Sequence, residues 1–255
     1  MSLVVTVAIG LVALVYAAVG HAGATGYTAV MALAGLPPAT IRPTALVLNV
    51  IVAAIASIQF ARAGHLRRGL FLPLAAASVP CAALGGATTL STGAFEALLG
   101  GVLLASAGRI VVDARGQSGG DAAAGDASAS RSLPALALTA LGGGIGLLSG
   151  LTGVGGGVFL TPVLVALRAA PVKQVAGVTA PFILVNSLAG LAGGLVAGGT
   201  LPPVSLPVVV AAAAGGFVGS QWGAFRLPVS ALKLLMAVVL AVASIKLLGQ
   251  AFGGP

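Results

Sequence analysis

The side chains on which acid–base, nucleophilic or metal chemistry is ordinarily built are few in this chain and badly spaced for it. Cys81 is the sole cysteine, so neither an intrachain disulfide nor a cysteine-cluster metal site can form. His21 and His65 are the two histidines, in different surroundings, with no helix-spaced pair of the kind that holds zinc. Three of the four acids, Asp113, Asp121 and Asp126, fall in one polar stretch, which leaves Glu96 as the only acid near an apolar run. The chain offers glycine instead. Gly20, Gly23 and Gly26 sit in VGHAGATGY, and Gly150, Gly153 and Gly156 sit in SGLTGVGGGV, with identical spacing and a constant offset of 130. The second cluster is not a Walker loop, because no Gly-Lys-Ser/Thr follows Gly157. Where a glycine break opens a new helix, its unpaired N–H groups and positive dipole end favour an anion. Neither break holds a carboxylate, which suits an anionic ligand and suits a cation poorly.

The elements that must carry these breaks are membrane helices. Of 255 residues 58% are hydrophobic and 6% charged, and mean hydropathy is +1.15. A soluble domain carries about a quarter charged residues, so this chain is a polytopic membrane protein with no sizeable domain outside the bilayer. At about 20 residues per crossing, it has room for about 8 to 10. The net charge of +8 rests on a handful of loop arginines; it reads as a topology signal, and no nucleic-acid partner is expected. MSLVVTVAIGLVALVYAAV lacks the basic start of a signal peptide and reads as a retained first helix. Alternating ten-residue strands are absent, which argues against a barrel.

Apolar runs cover about Leu3–Val19, Tyr27–Leu36, Thr44–Ala61, Leu70–Leu90 and Phe95–Val112, then Leu133–Gly150, Val158–Leu167, Val172–Ala197, Leu201–Phe225 and Val229–Leu248. Between the two sets, Asp113–Ser132 reads as a solvated linker. The expected organisation is therefore a first transmembrane repeat at 1–112, a cytoplasmic linker at 113–132 and a second repeat at 133–255. Each half has one long run, one of about ten residues and three more long ones. Pro38 and Pro171 each open the next long segment, and Thr44-Ala45 leads to Asn49 as Thr179-Ala180 leads to Asn186.

Threading alternate crossings places Arg62, Arg67, Arg68, Arg109, Arg115, Arg131, Arg168, Lys173, Arg226 and Lys233 on one side, and only Arg42 and Lys246 on the other. The first group is assigned to the cytoplasm, with both termini outside it and Glu96 at an outer end, away from any proton relay. Each half then has odd parity, so the halves are inverted. The fold class is an all-α polytopic membrane protein of two inverted-topology repeats, with about 8 full transmembrane helices and two half-length helices. Secondary transporters built around interrupted helices have this architecture.

A ten-residue helix is about 15 Å long and cannot span. Irregular backbone beside it must be buried in protein or line a cavity. Two breaks entered from opposite faces bring two helix N-termini together near the midplane. The candidate substrate-binding residues are Gly23, Thr25, Gly26, Thr152, Gly153, Gly155 and Gly156, with His21, Asn49 and Asn186 as side-chain donors. Interhelical hydrogen bonding explains Asn49 and Asn186 equally well, helix-end packing is the competing role for His21, and a membrane threonine can satisfy itself on its own helix. Gly142, Gly146 and Gly150 repeat every four residues and read as a helix-packing seam.

The stretch GLLSGLTGVGGGVFLTPVL (Gly146–Leu164), followed by Pro171, Thr179-Ala180-Pro181 and Asn186, resembles the signature of the TauE/SafE sulfite-exporter family, also called TSUP. A weaker echo at Ala18–Leu36 is similar to that family's duplicated half, with His21-Ala22-Gly23-Ala24-Thr25 in place of the glycine run. The resemblance covers essentially the whole chain. It implies a plasma-membrane permease, of the bacterial inner-membrane type, for sulfite or small organosulfur and carboxylate anions. Moving one charge across 100 mV is worth about 2.3 kcal/mol, so an anion leaving a negative interior needs no coupling ion. The partners expected are a small anionic substrate and membrane lipid, and a homo-oligomer is compatible with the sequence. No cofactor, metal or enzymatic activity is read; an anion channel using the same helix ends is the alternative.

Overall fold

The computed structural model describes residues 2–88 and 133–228, together with Ser230, Ala231, Leu232, Leu234, Leu235 and Val238. The fifth apolar run, the linker and most of the tenth run lie outside the described residues. The elements are α1 (Leu3–Ala18), α2 (Ala24–Leu33), α3 (Pro38–Arg62), α4 (Arg68–Ala87), α5 (Ala135–Thr152), α6 (Gly157–Ala166), α7 (Val172–Val196) and α8 (Leu206–Gln221). A π-helical turn, Trp222–Arg226, continues α8. Among the described residues there is no strand.

Among the described residues, five stretches are long and apolar enough to cross a bilayer: Thr40–Arg62, Arg68–Ala87, Ala135–Thr152, Val172–Val196 and Leu206–Arg226. The first apolar run falls short of that length. α1 stops after 16 residues because Gly20 takes φ +77°, and the amides of Val19, Gly20 and His21 fold back onto the carbonyls of Tyr16 and Ala17. Leu33, Leu136, Val196 and Leu3 are 91, 82, 88 and 78% exposed. In water such a surface would aggregate; facing lipid, it is the solvated side.

Small residues let the helices close up. A Cβ on Gly142, Gly146 or Gly150 of α5 would strike backbone of Leu74, Ser78 or Ala82 of α4, one turn apart at each step. The expected glycine seam is thus an α4–α5 contact, and both numberings rise together, so the two helices run parallel. Gly215, Gly219 and Gly223 meet Gly10, Leu14 and Ala18 in the same manner, which makes α8 and α1 parallel too. Approach this close replaces the hydrophobic driving force that helices lack in lipid with packing and weak Cα–H···O contacts.

Loop contacts set directions. Arg67 Nη1 donates to the Ala169 carbonyl at 3.1 Å, His65 Nε2 pairs with the Ala224 carbonyl at 3.1 Å, and Gly177 lies against His65. The α3–α4 loop, the α6–α7 loop and the π turn therefore share one end of the molecule, with Arg62, Arg67, Arg68, Arg168, Lys173 and Arg226 in or beside them. α3 and α8 run toward that end, whereas α4 and α7 run away from it.

Candidate functional site

Both breaks are made by glycine in a backbone region that L side chains rarely enter. Gly20 and Gly23 have φ +77° and +103°; Gly153 and Gly156 have +71° and +78°. Gly23 is the N-cap of the ten-residue α2, and Gly156 is the N-cap of the ten-residue α6. Gly20 corresponds to Gly153 and Gly23 to Gly156, 133 positions apart, not the 130 that triplet spacing indicates. The duplicated feature is a left-handed turn into a short helix, and Gly26 and Gly150 lie outside it. Gly26 is within α2, where a Cβ would lie 2.5 Å from Cγ1 of Val12 in α1; it is a packing glycine.

The first break gathers polar atoms with few partners. His21 is buried; its Nδ1 pairs with the Val19 carbonyl at 3.2 Å and Nε2 has no hydrogen-bond partner. Its ring also lies against the backbone of Gly157, the first residue of α6, so the first break reaches the helix that the second break opens. A Cβ on Gly23 would lie 2.9 Å from the Tyr27 ring, whose buried hydroxyl has no partner. Thr25 Oγ1 donates to the Tyr16 hydroxyl at 3.0 Å.

The second break faces α3 and α7. A Cβ on Gly155 (φ +80°) would lie 2.7 Å from Asn49 Nδ2, 2.8 Å from Ile183 and 2.9 Å from Ser187 Oγ. Asn49 and Ile183 are each twelfth in a 25-residue helix, which sets this break against the middle of both. Asn49 is fully buried; Nδ2 makes long bonds to the Val154 carbonyl (3.3 Å) and Ser187 Oγ (3.5 Å), and Oδ1 has no partner. Ser149, whose Cβ stands 3.2 Å from the one Gly156 would carry, also has an unpartnered hydroxyl. Leaving a buried polar group unpaired costs about 1–3 kcal/mol. Among the described residues, the four side-chain atoms that bear this cost, on His21, Tyr27, Asn49 and Ser149, all lie at the two breaks.

Two further candidates have hydrogen-bond partners within the protein. Asn186 donates from Nδ2 to the Phe182 carbonyl at 2.8 Å and accepts at Oδ1 from Ser78 Oγ, so it fastens α7 to α4. Asn49 and Asn186 are 137 positions apart where the helices repeat at 134, which sets the second amide almost one turn further along its helix. Thr152 Oγ1 donates to the Leu148 carbonyl at 2.7 Å and accepts from the Val154 amide at 3.4 Å; it stabilises the turn. Gly153 closes α5 as its left-handed C-cap. Sequence reasoning missed Tyr27, Ser149 and Ser187, and it missed Arg42, whose side chain packs beside Gly153. A lone arginine entering an apolar helix was the available signal.

Among the described residues, no three of His, Cys, Asp and Glu are grouped to hold a metal. Val154, within the second break, packs against both the core that spans α4–α7 and the core that includes α1–α3, so the second break is held by apolar contacts from both sets of helices.

The family described as sulfite exporter TauE/SafE matches residues 5–247. A probable membrane transporter protein, y4hK, of Sinorhizobium fredii (strain NBRC 101917 / NGR234) is 38% identical over 242 residues, 95% of this chain and 96% of its own. No solved structure matches significantly. The chain belongs to the TauE/SafE sulfite exporter family of membrane transporters.

Proposed function

We propose that the protein is a secondary permease that exports sulfite or a related small organosulfur or carboxylate anion by alternating access around one site between the two breaks. The observation that carries this reading is the clustering of unpartnered buried polar atoms at two glycine breaks, each of which opens a ten-residue helix. The N-termini of α2 and α6 supply N–H donors and positive dipole ends, and the hydroxyls of Tyr27 and Ser149 add side-chain donors; His21 donates from Nδ1 to the Val19 carbonyl, which leaves Nε2 of the neutral ring an acceptor.

Inverted repeats account for the direction of the helices. α3 and α7 run oppositely and so do α4 and α8, and exchanging α1–α4 for α5–α8 turns the α1–α8 contact into α5–α4 and α3–α8 into α7–α4. Rocking one set against the other would open the site to each side in turn. Clustering of six cations at one end supports placing that end in the cytoplasm of an inner-membrane protein whose termini lie outside. Export runs down the membrane potential, so no coupling residue is required.

Counterflow tests this. In proteoliposomes clamped at zero potential, unlabelled sulfite inside should drive transient accumulation of labelled sulfite from outside. Equilibration without accumulation, at rates too fast for a carrier, would make the protein a channel and overturn alternating access.

A further inference from the structure

Arg42 and Ala176 are each the fifth residue of a 25-residue helix, α3 and α7. Each stands against the first left-handed glycine of the opposite break. A Cβ on Gly20 would be 2.5 Å from the Ala176 carbonyl oxygen, and one on Gly153 would be 2.6 Å from Arg42 Cγ. The two places are equivalent and their chemistry is not. Ala176 demonstrates that closing the space beside such a turn takes no charge.

The guanidinium is held by backbone carbonyls. Its Nη2 donates to the Gly150 carbonyl and lies 3.4 Å from the carbonyls of Gly85 and Gly86. These oxygens belong to the last turns of α5 and α4, the negative ends of both helix dipoles. Among the described residues Nη1 and Nε have no hydrogen-bond partner, and the side chain is only partly buried. An arginine carries five donors in a rigid fork that matches two oxygens of an oxyanion. Two independent features stand at the second break, which Arg42 also touches through Gly153. Asn49, seven residues along α3 and so on the same face, makes only long bonds from its Nδ2 donor, 3.3 Å to the Val154 carbonyl and 3.5 Å to Ser187 Oγ, and the buried hydroxyl of Ser149, one residue before the carbonyl that anchors the guanidinium, has no partner and is free to donate.

We propose that Arg42 is the anion-selecting residue of this permease: its open donors take two oxygens of the substrate's oxyanion group beside the second break, and Asn49 is the next contact toward the midplane. The assignment rests on the anion-transport reading above and names the residue that distinguishes an oxyanion from other solutes there.

The test is chemical rescue in reconstituted protein. In a Cys81→Ala parent, Arg42→Cys should raise the KM for sulfite counterflow at least tenfold. 2-Bromoethylamine, which restores a cation through a thioether that sulfite does not cleave, should recover most of the loss; methyl 4-nitrobenzenesulfonate, which adds a neutral methyl group through the same kind of bond, should not. A methyl-modified protein with the parent's KM, or a monodisperse aminoethyl-modified protein with no recovery, overturns the proposal. If Arg42→Cys does not fold, Arg42→Lys decides: retained charge without the fork should raise KM at least threefold at an unchanged melting temperature, and an unchanged KM counts against the proposal. Failure of the underlying reading is distinguishable, because then the Cys81→Ala parent itself carries no small anion.

Discussion

Gly23 and Gly156 stand 133 positions apart, and each turns the chain through left-handed backbone into a helix of ten residues. Any other residue at φ near +78° carries a penalty of about 1–2 kcal/mol. At Gly156 a Cβ would also lie 3.0 Å from the Phe182 ring. Gly156→Ala should lower the melting temperature in detergent modestly. Gly156→Leu should abolish transport while the protein still inserts and elutes as a single species.

The two asparagines should separate by assay. Asn186→Ala leaves Ser78 without the acceptor it uses now, which costs about 1–3 kcal/mol, so its effect should appear in thermal melts. Asn49 makes only long bonds, so Asn49→Ala should melt close to wild type and raise the KM for counterflow. Asn49→Asp, which adds a negative charge at the site, should eliminate anion flux.

Tyr27 offers a converse case. Its buried hydroxyl has no partner, so Tyr27→Phe removes a desolvated group and should leave the melting temperature unchanged or higher. If the hydroxyl donates to the substrate, the same variant shows a severalfold higher KM.

The α4–α5 seam can be probed with an internal control. Gly146→Val forces a side chain onto Ser78, and overpacking of this kind costs about 1–3 kcal/mol or more. Gly144, two residues away on the same helix, has nothing within 4 Å of a Cβ. Gly144→Val should melt like wild type, and equal loss in both variants would contradict the close α4–α5 packing.

Much of this arrangement was legible in the residues. Hydropathy marks the runs that became α3, α4, α5, α7 and α8, because a lipid-facing helix must be apolar along its length. The short runs located α2 and α6 within a few residues. Register was harder. Glycine is chosen here for two reasons, a left-handed turn at Gly23 and Gly156 and close approach at Gly26 and Gly150, and the letter does not say which. Asn49 and Asn186 looked matched in order, but three residues of drift set one amide at the break and the other against Ser78. Arg42 stands at the start of α3, away from the six clustered cations, as its threading expects, but nothing local in the sequence reveals that carbonyls of α4 and α5, far away along the chain, receive it.

The central claim is that both breaks build one anion site. Equilibrium binding of labelled sulfite to purified wild type, Gly23→Leu and Gly156→Leu tests it most directly, with melting curves to verify folding. The account predicts that wild type binds and that each folded variant loses binding on its own. Wild-type affinity in either variant would contradict a shared site.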